Sequence, residues 1–149
     1  MLLESKIDRS VYFFIKDLFV DAPFIHIVDG YPELEIDLPT VAVENSSIDT
    51  YPYEIGNRNR IEYRVFHIDV FAKDKAQRDE YGYRIINALE EGIDVYDYDM
   101  GFPPDISPTK LGKMIVDTIE MEIIKIYPEL VSTMYYRSTV KFSAFYSII

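Results

Sequence analysis

Thirteen consecutive residues, Arg60 to Ala72 (RIEYRVFHIDVFA), constrain this chain more than any other stretch. Ile61, Tyr63 and Val65 alternate with Arg60, Glu62 and Arg64, the period of two that marks a half-buried strand. From Phe66 to Ala72 both faces are mostly apolar. That half is expected to be sandwiched, with a bulge or bend where the pattern switches. Asp74-Lys75-Ala76-Gln77 follows and has the form of a capping box, with the acid at N-cap and Gln at N3. Tyr81, Ile85, Ala88 and Leu89 then make one helical stripe, which Gly92 stops. A long strand feeding a helix sets a sheet-and-helix framework that the rest of the chain must extend.

Upstream, Ile7, Val11, Phe14, Ile15 and Leu18 recur at helical spacing. Ser5 is the expected N-cap and Pro23 the terminator. Phe24 to Val28 reads as a short strand closed by Asp29-Gly30, and residues 29–38 as a surface loop. Pro39 to Glu44 is a second short strand, Asn45-Ser46-Ser47 a polar turn, and Ile48 to Asn59 irregular around Pro52 and Gly56. Residues 94–109, with Pro103, Pro104 and Pro108, are expected to form a loop. Leu111 to Tyr127 and Met134 to Ile148 read as two long strands joined at Pro128-Glu129, paired as an antiparallel hairpin. In the last, Tyr136, Val140, Phe142, Ala144 and Tyr146 alternate with Arg137, Thr139, Lys141, Ser143 and Ser147. The expected fold is α+β: one domain over residues 1–149, a mostly antiparallel β-sheet with two helices packed on one face.

Charge and composition narrow the function. The 149 residues carry 26 Asp and Glu against 15 Lys and Arg, a formal charge of −11. Such a chain repels a polyphosphate unless it concentrates its bases on one face. It is 48% hydrophobic, enough for a folded core rather than a disordered acidic tail. Without Cys there is no disulfide, thiol nucleophile or cysteine zinc site. No segment approaches the roughly 20 apolar residues of a membrane span. Met1 to Lys6 lacks the basic start and apolar core of a signal peptide, so the expected place is the cytoplasm or a particle assembled there.

Chemistry is sparse. His67 and Asp69 share a strand face, as a general base and its orienting acid would. No serine lies in a nucleophile turn to use them. Asp97 and Asp99 have the spacing that opens an oxygen-ligand cation loop, but Met100 and Gly101 do not continue it. Asp117, Glu122 and Lys125 invite comparison with a metal nuclease. Glu122 and Lys125, three apart in an extended strand, point oppositely. There is no phosphate-binding glycine loop. The expectation is no catalytic residue, no metal and no cofactor. Residues 90–105 hold six acids and no Lys or Arg, interleaved with Tyr96, Tyr98 and Phe102. These three rings are the expected partner or subunit contacts; the alternative is that they fold back on their own domain.

The run from Arg64 through His67, Asp69, Lys73, Asp74 and Gln77 to Glu80, followed by Ile85-Ile86-Asn87-Ala88-Leu89, resembles the central strand and second helix of tail-completion (tail-terminator) proteins of long-tailed bacteriophages. The N-terminal helix, Pro39 to Val43, Pro52 to Gly56 and the final strand pair follow that family's order. The segment 94–109 has no place in it. The resemblance implies a structural virion protein that forms a ring, commonly a sixfold homohexamer, at the head-proximal end of the tail tube. Its partners would be copies of itself, the tail tube protein and the head-tail connector protein, with DNA passing through the lumen without specific binding. It would assemble in the host cytoplasm. A head-tail adaptor or stopper of the neck, a small metal-dependent enzyme and a cytoplasmic binding module remain the alternatives.

Overall fold

A computed structural model describes residues 1–30, 37–52, 60–124 and 136–148. The elements are α1 (Leu3–Leu18), β1 (His26–Asp29), β2 (Thr40–Pro52), β3 (Arg60–Ala72), α2 (Lys75–Leu89), β4 (Ile93–Asp97), β5 (Thr109–Ile124) and β6 (Tyr136–Ser147). They build an α+β domain on one six-stranded sheet in the order β1-β2-β3-β6-β5-β4. β1 runs parallel to β2, and the other neighbouring pairs are antiparallel. The sheet is therefore mixed.

Period-two patterning decides which face is covered. Phe66, Ile68, Val70 and Ala72 of β3 join Val41, Val43, Met114, Val140, Phe142 and Ala144 in a single core. Ile7, Val11 and Ile15 of α1 and Tyr81, Ile85 and Leu89 of α2 pack on it from the same side. α1 touches β1 and β2 near one end of the sheet and β4 at the other. A flat sheet could not place both ends against one helix, so the sheet curls around α1.

β3 and α2 take the bounds the sequence indicated. Asp74 accepts the Gln77 N–H at 2.8 Å, and Gln77 Oε1 accepts the Lys73 N–H at 2.9 Å. Gly92 adopts φ +81°, which releases the chain from α2 into β4. The bend expected at the pattern switch falls on the neighbour instead. β2 carries a bulge between Asn45 and Ser47, opposite Phe66 and Val65, while the β3–β6 ladder runs unbroken from Tyr63 to Ala72.

Several expectations are corrected. Ser5 lies inside α1; Leu2 is the N-cap and provides no side-chain hydrogen bond. α1 ends at Leu18 with Phe19 as C-cap, short of Pro23. β2 continues to Pro52, through Asn45-Ser46-Ser47 and residues read as irregular from Ile48, because the long edge of β3 needs hydrogen-bond partners. The segment 94–109 is not all loop. Ile93 and Val95 are fully buried, and their strand pairs with β5. A short apolar alternation was hidden there among acids. The turn at Pro128-Glu129 lies outside the described residues, while the antiparallel pairing of β5 with β6 is as expected. Arg64 was assigned to the polar side of β3. It has the same parity as Phe66 and is only 2% exposed, beneath α1.

Candidate functional site

The three rings singled out in the sequence lie near the β4 end of the sheet but differ in setting. Tyr96 is half-buried on β4, and its N–H donates to Ser10 Oγ at 3.1 Å. Ser10 Oγ in turn donates to the Lys6 carbonyl at 2.7 Å. A buried helix serine thus satisfies part of a sheet edge that would otherwise be open. Tyr98 is 2% exposed. Its ring lies 5.4 Å from Phe13 and 5.5 Å from Phe102, and Phe13 and Phe102 are 6.0 Å apart. Burial pushes the Tyr98 hydroxyl above its ordinary pKa, against a smaller opposing effect of its hydrogen bond with Ser10. Phe102 is 40% exposed and lies under the Arg9 guanidinium, 5.8 Å from its ring centre. Tyr98 therefore serves its own domain, and Phe102 keeps a face open to solvent.

The acids that prompted the cation-loop comparison are occupied by the chain's own cations. Lys6 Nζ is 3.1 Å from Asp97 and 3.0 Å from Asp99, and the Met1 ammonium is 3.0 Å from Asp99. Asp97 Oδ1 accepts the Asp99 N–H at 2.9 Å. The hydrogen bond from the terminal ammonium, then that from Lys6, holds the Asp99 carboxyl below the usual range. Asp99, then Asp97, raises Lys6. On its other flank α1 pairs Arg9 with Asp29 of β1 and Asp8 with Arg64 of β3, both at 3.2 Å. Sequence reading assigned Lys6, Arg9 and Ser10 no role beyond the helix. Nothing in the linear pattern connects Lys6 to Asp99, 93 positions away, Arg9 to Asp29, or Ser10 to the Tyr96 N–H.

Between α1 and the segment after β4 lies a crevice of about 580 Å³. Tyr96 and Tyr98 line it together with Phe13, Phe14 and Asp17 from α1 and Pro103, Pro104 and Ile106 from the turn. Glu91, Asp94 and Lys113 also line it. Its size is that of a ligand site, with mostly apolar walls and a few charges.

Among the described residues the second face of the sheet carries no helix. Register places Glu44, His67, Lys141 and Glu120 in one cross-strand row, with Asp69, Thr139 and Glu122 in the next. A bulge between Val116 and Thr118 resets the parity of β5, which turns Glu120 and Glu122 to this face. Asp69 is 4% exposed and accepts from Arg137 Nη2 at 2.9 Å and Thr139 Oγ1 at 2.7 Å. Among the described residues no hydrogen bond joins it to His67, so the general-base pair does not form. Asp117 sits at the bulge, and Lys125 lies outside the described residues. No three His, Asp or Glu side chains among the described residues gather as a metal-holding group. Farther along this face Tyr63 and Phe145 meet edge to face at 5.6 Å, opposite Ile115, which is 39% exposed.

Among the described residues no helix is long and apolar enough to cross a membrane. No family model matches the chain, and no curated protein matches it.

Proposed function

We propose that this chain is a structural subunit of a long-tailed bacteriophage particle, forming a ring at the head-proximal end of the tail tube and joining the tube to the head connector. The observation that carries the reading is the one-sided sheet. Among the described residues both helices cover one face, and the other presents cross-strand rows of charged side chains beside the Tyr63–Phe145 pair. A face of this kind suits repeated contacts between copies more than turnover of a substrate. A ring needs two unlike surfaces on each subunit, which the two faces of such a domain supply. The order of a long strand, a capped helix and a final strand pair accords with the tail-terminator resemblance. In this reading DNA passes through the lumen without specific binding, because the acidic chain repels it. The protein is not an enzyme in this reading.

Cryo-EM of the parent particle tests the proposal. The expected result is a ring of copies where the tail tube meets the head. A single copy, or absence from the particle, overturns it. A ring elsewhere in the neck assigns the chain to an adaptor or stopper instead.

A further inference from the structure

We propose that the crevice between α1 and the segment after β4 binds an extended peptide, inserting a basic side chain flanked by apolar ones. The inference does not rest on the virion reading.

The walls set the apolar requirement. Phe13, Phe14 and Tyr96, each half-buried, present aromatic surface, and Pro103 and Pro104 face them from the turn. The charges set the sign. Asp17, Glu91 and Asp94 line the crevice with Lys113 as the single base in its lining. Asp94 is engaged by Lys110 at 3.1 Å, whereas Asp17 and Glu91 have no ion-pair partner among the described residues. Two unengaged carboxylates beside aromatic faces favour a cation with an apolar body, which gains both charge attraction and contact with the ring faces. The occupant is a chain segment rather than a small cation because the crevice, at about 580 Å³, is larger than one ammonium or guanidinium group fills. It does not add to the sheet edge at Tyr96, whose N–H is already taken by Ser10.

The test uses the full chain and a displayed library of random dodecapeptides. Enriched peptides are expected to carry Arg or Lys beside Pro, Leu or an aromatic residue. A synthetic consensus peptide is then titrated calorimetrically. Binding should weaken at least tenfold in the Asp17→Asn/Glu91→Gln double variant and stay within twofold in Glu120→Gln, on the uncovered face. Both altered crevice carboxylates are exposed, so the variant should melt as the parent does. No enrichment, enrichment without a basic residue, or binding indifferent to the double variant overturns the proposal. So does n-butylguanidinium binding as tightly as the peptide, which would make the crevice a small-molecule site.

Discussion

Arg64 offers a sharp test of what holds α1 to the sheet. Its side chain is 2% exposed, yet its partners Asp8 and Glu62 keep 45% and 42% of theirs in contact with solvent. Nη2 is 3.1 Å from Glu62 but lacks a hydrogen-bond partner in proper alignment. Burial raises the Asp8 carboxyl despite the opposing pull of Arg64, as expected of a pair whose attraction falls short of its desolvation. The buried stem should therefore matter more than the charge. Arg64→Met keeps the stem and lets both acids rehydrate, so it should cost no more than about 1 kcal/mol. Arg64→Ala removes two further methylenes, about 1.6 kcal/mol at ~0.8 each. The cavity left behind brings the total to about 3 kcal/mol. Urea unfolding monitored by circular dichroism separates the two, and in thermal melts the alanine variant should fall by about 6–12 °C. A raised Asp8 pKa gives a contribution fully present below the ordinary value of 3.8 and lost as pH rises through the folded value. If Arg64→Met destabilises as much as Arg64→Ala, the guanidinium rather than its stem secures the helix, and the reasoning fails.

Other outcomes follow from the same geometry. Tyr98→Ala should cost about 3 kcal/mol and Phe102→Ala less than about 1 kcal/mol, read from unfolding midpoints, because only Tyr98 is fully enclosed. A methyl at Gly82 meets Met121 Cε at 2.6 Å and Sδ at 3.1 Å, the far end of a flexible side chain, and Ser138 Oγ at an ordinary 3.5 Å, so once Met121 shifts Gly82→Ala should leave the melting point unchanged or raise it by the helix gain of up to about 1 kcal/mol. At Gly92 the methyl meets the Met114 carbonyl oxygen at 2.7 Å on a backbone at φ +81°, so Gly92→Ala should cost about 2 kcal/mol in the same assay. The lowered Asp99 carboxyl supplies stability above the ordinary value of 3.8 that is lost as pH falls through its folded pKa. Raised Lys6 supplies stability below 10.5 that is lost as pH rises through its own. Asp99→Asn should remove the acid-side loss and weaken the alkaline one, and carboxyl carbon shifts followed by NMR check the direction.

Local signals carried much of the architecture into the sequence. The capping box at Asp74 and Gln77 and the helical stripe through Tyr81, Ile85 and Leu89 depend on neighbours within a few positions, so they could be read directly. The alternation in β6 did the same for the core face. Other features were settled by distant residues. β2 reaches Pro52 because β3 lies beside it, and β4 exists because β5 supplies its ladder. Arg64 looked outward because its charge matched Arg60 and Glu62, whereas its place was set by Asp8 on another element. The rings of the 94–109 segment were legible as a feature but not in their setting. Tyr98 is enclosed by Phe13 of α1, which no local pattern announces.

The docking of α1 against both ends of the sheet has a consequence for how the molecule reaches its shape. The helix is synthesised before the strands it packs on, but Lys6 meets Asp99 across 93 positions of chain. Until the ribosome has released that far segment, the apolar stripe of α1 can find only part of its seat. Closure of this kind is non-local and therefore late and slow. It is also shared: one helix lets go of two borders together. A lesion that loosens α1 would uncover β1 and β4 in a single event, giving a nascent or damaged chain two strand edges at which to join its neighbours.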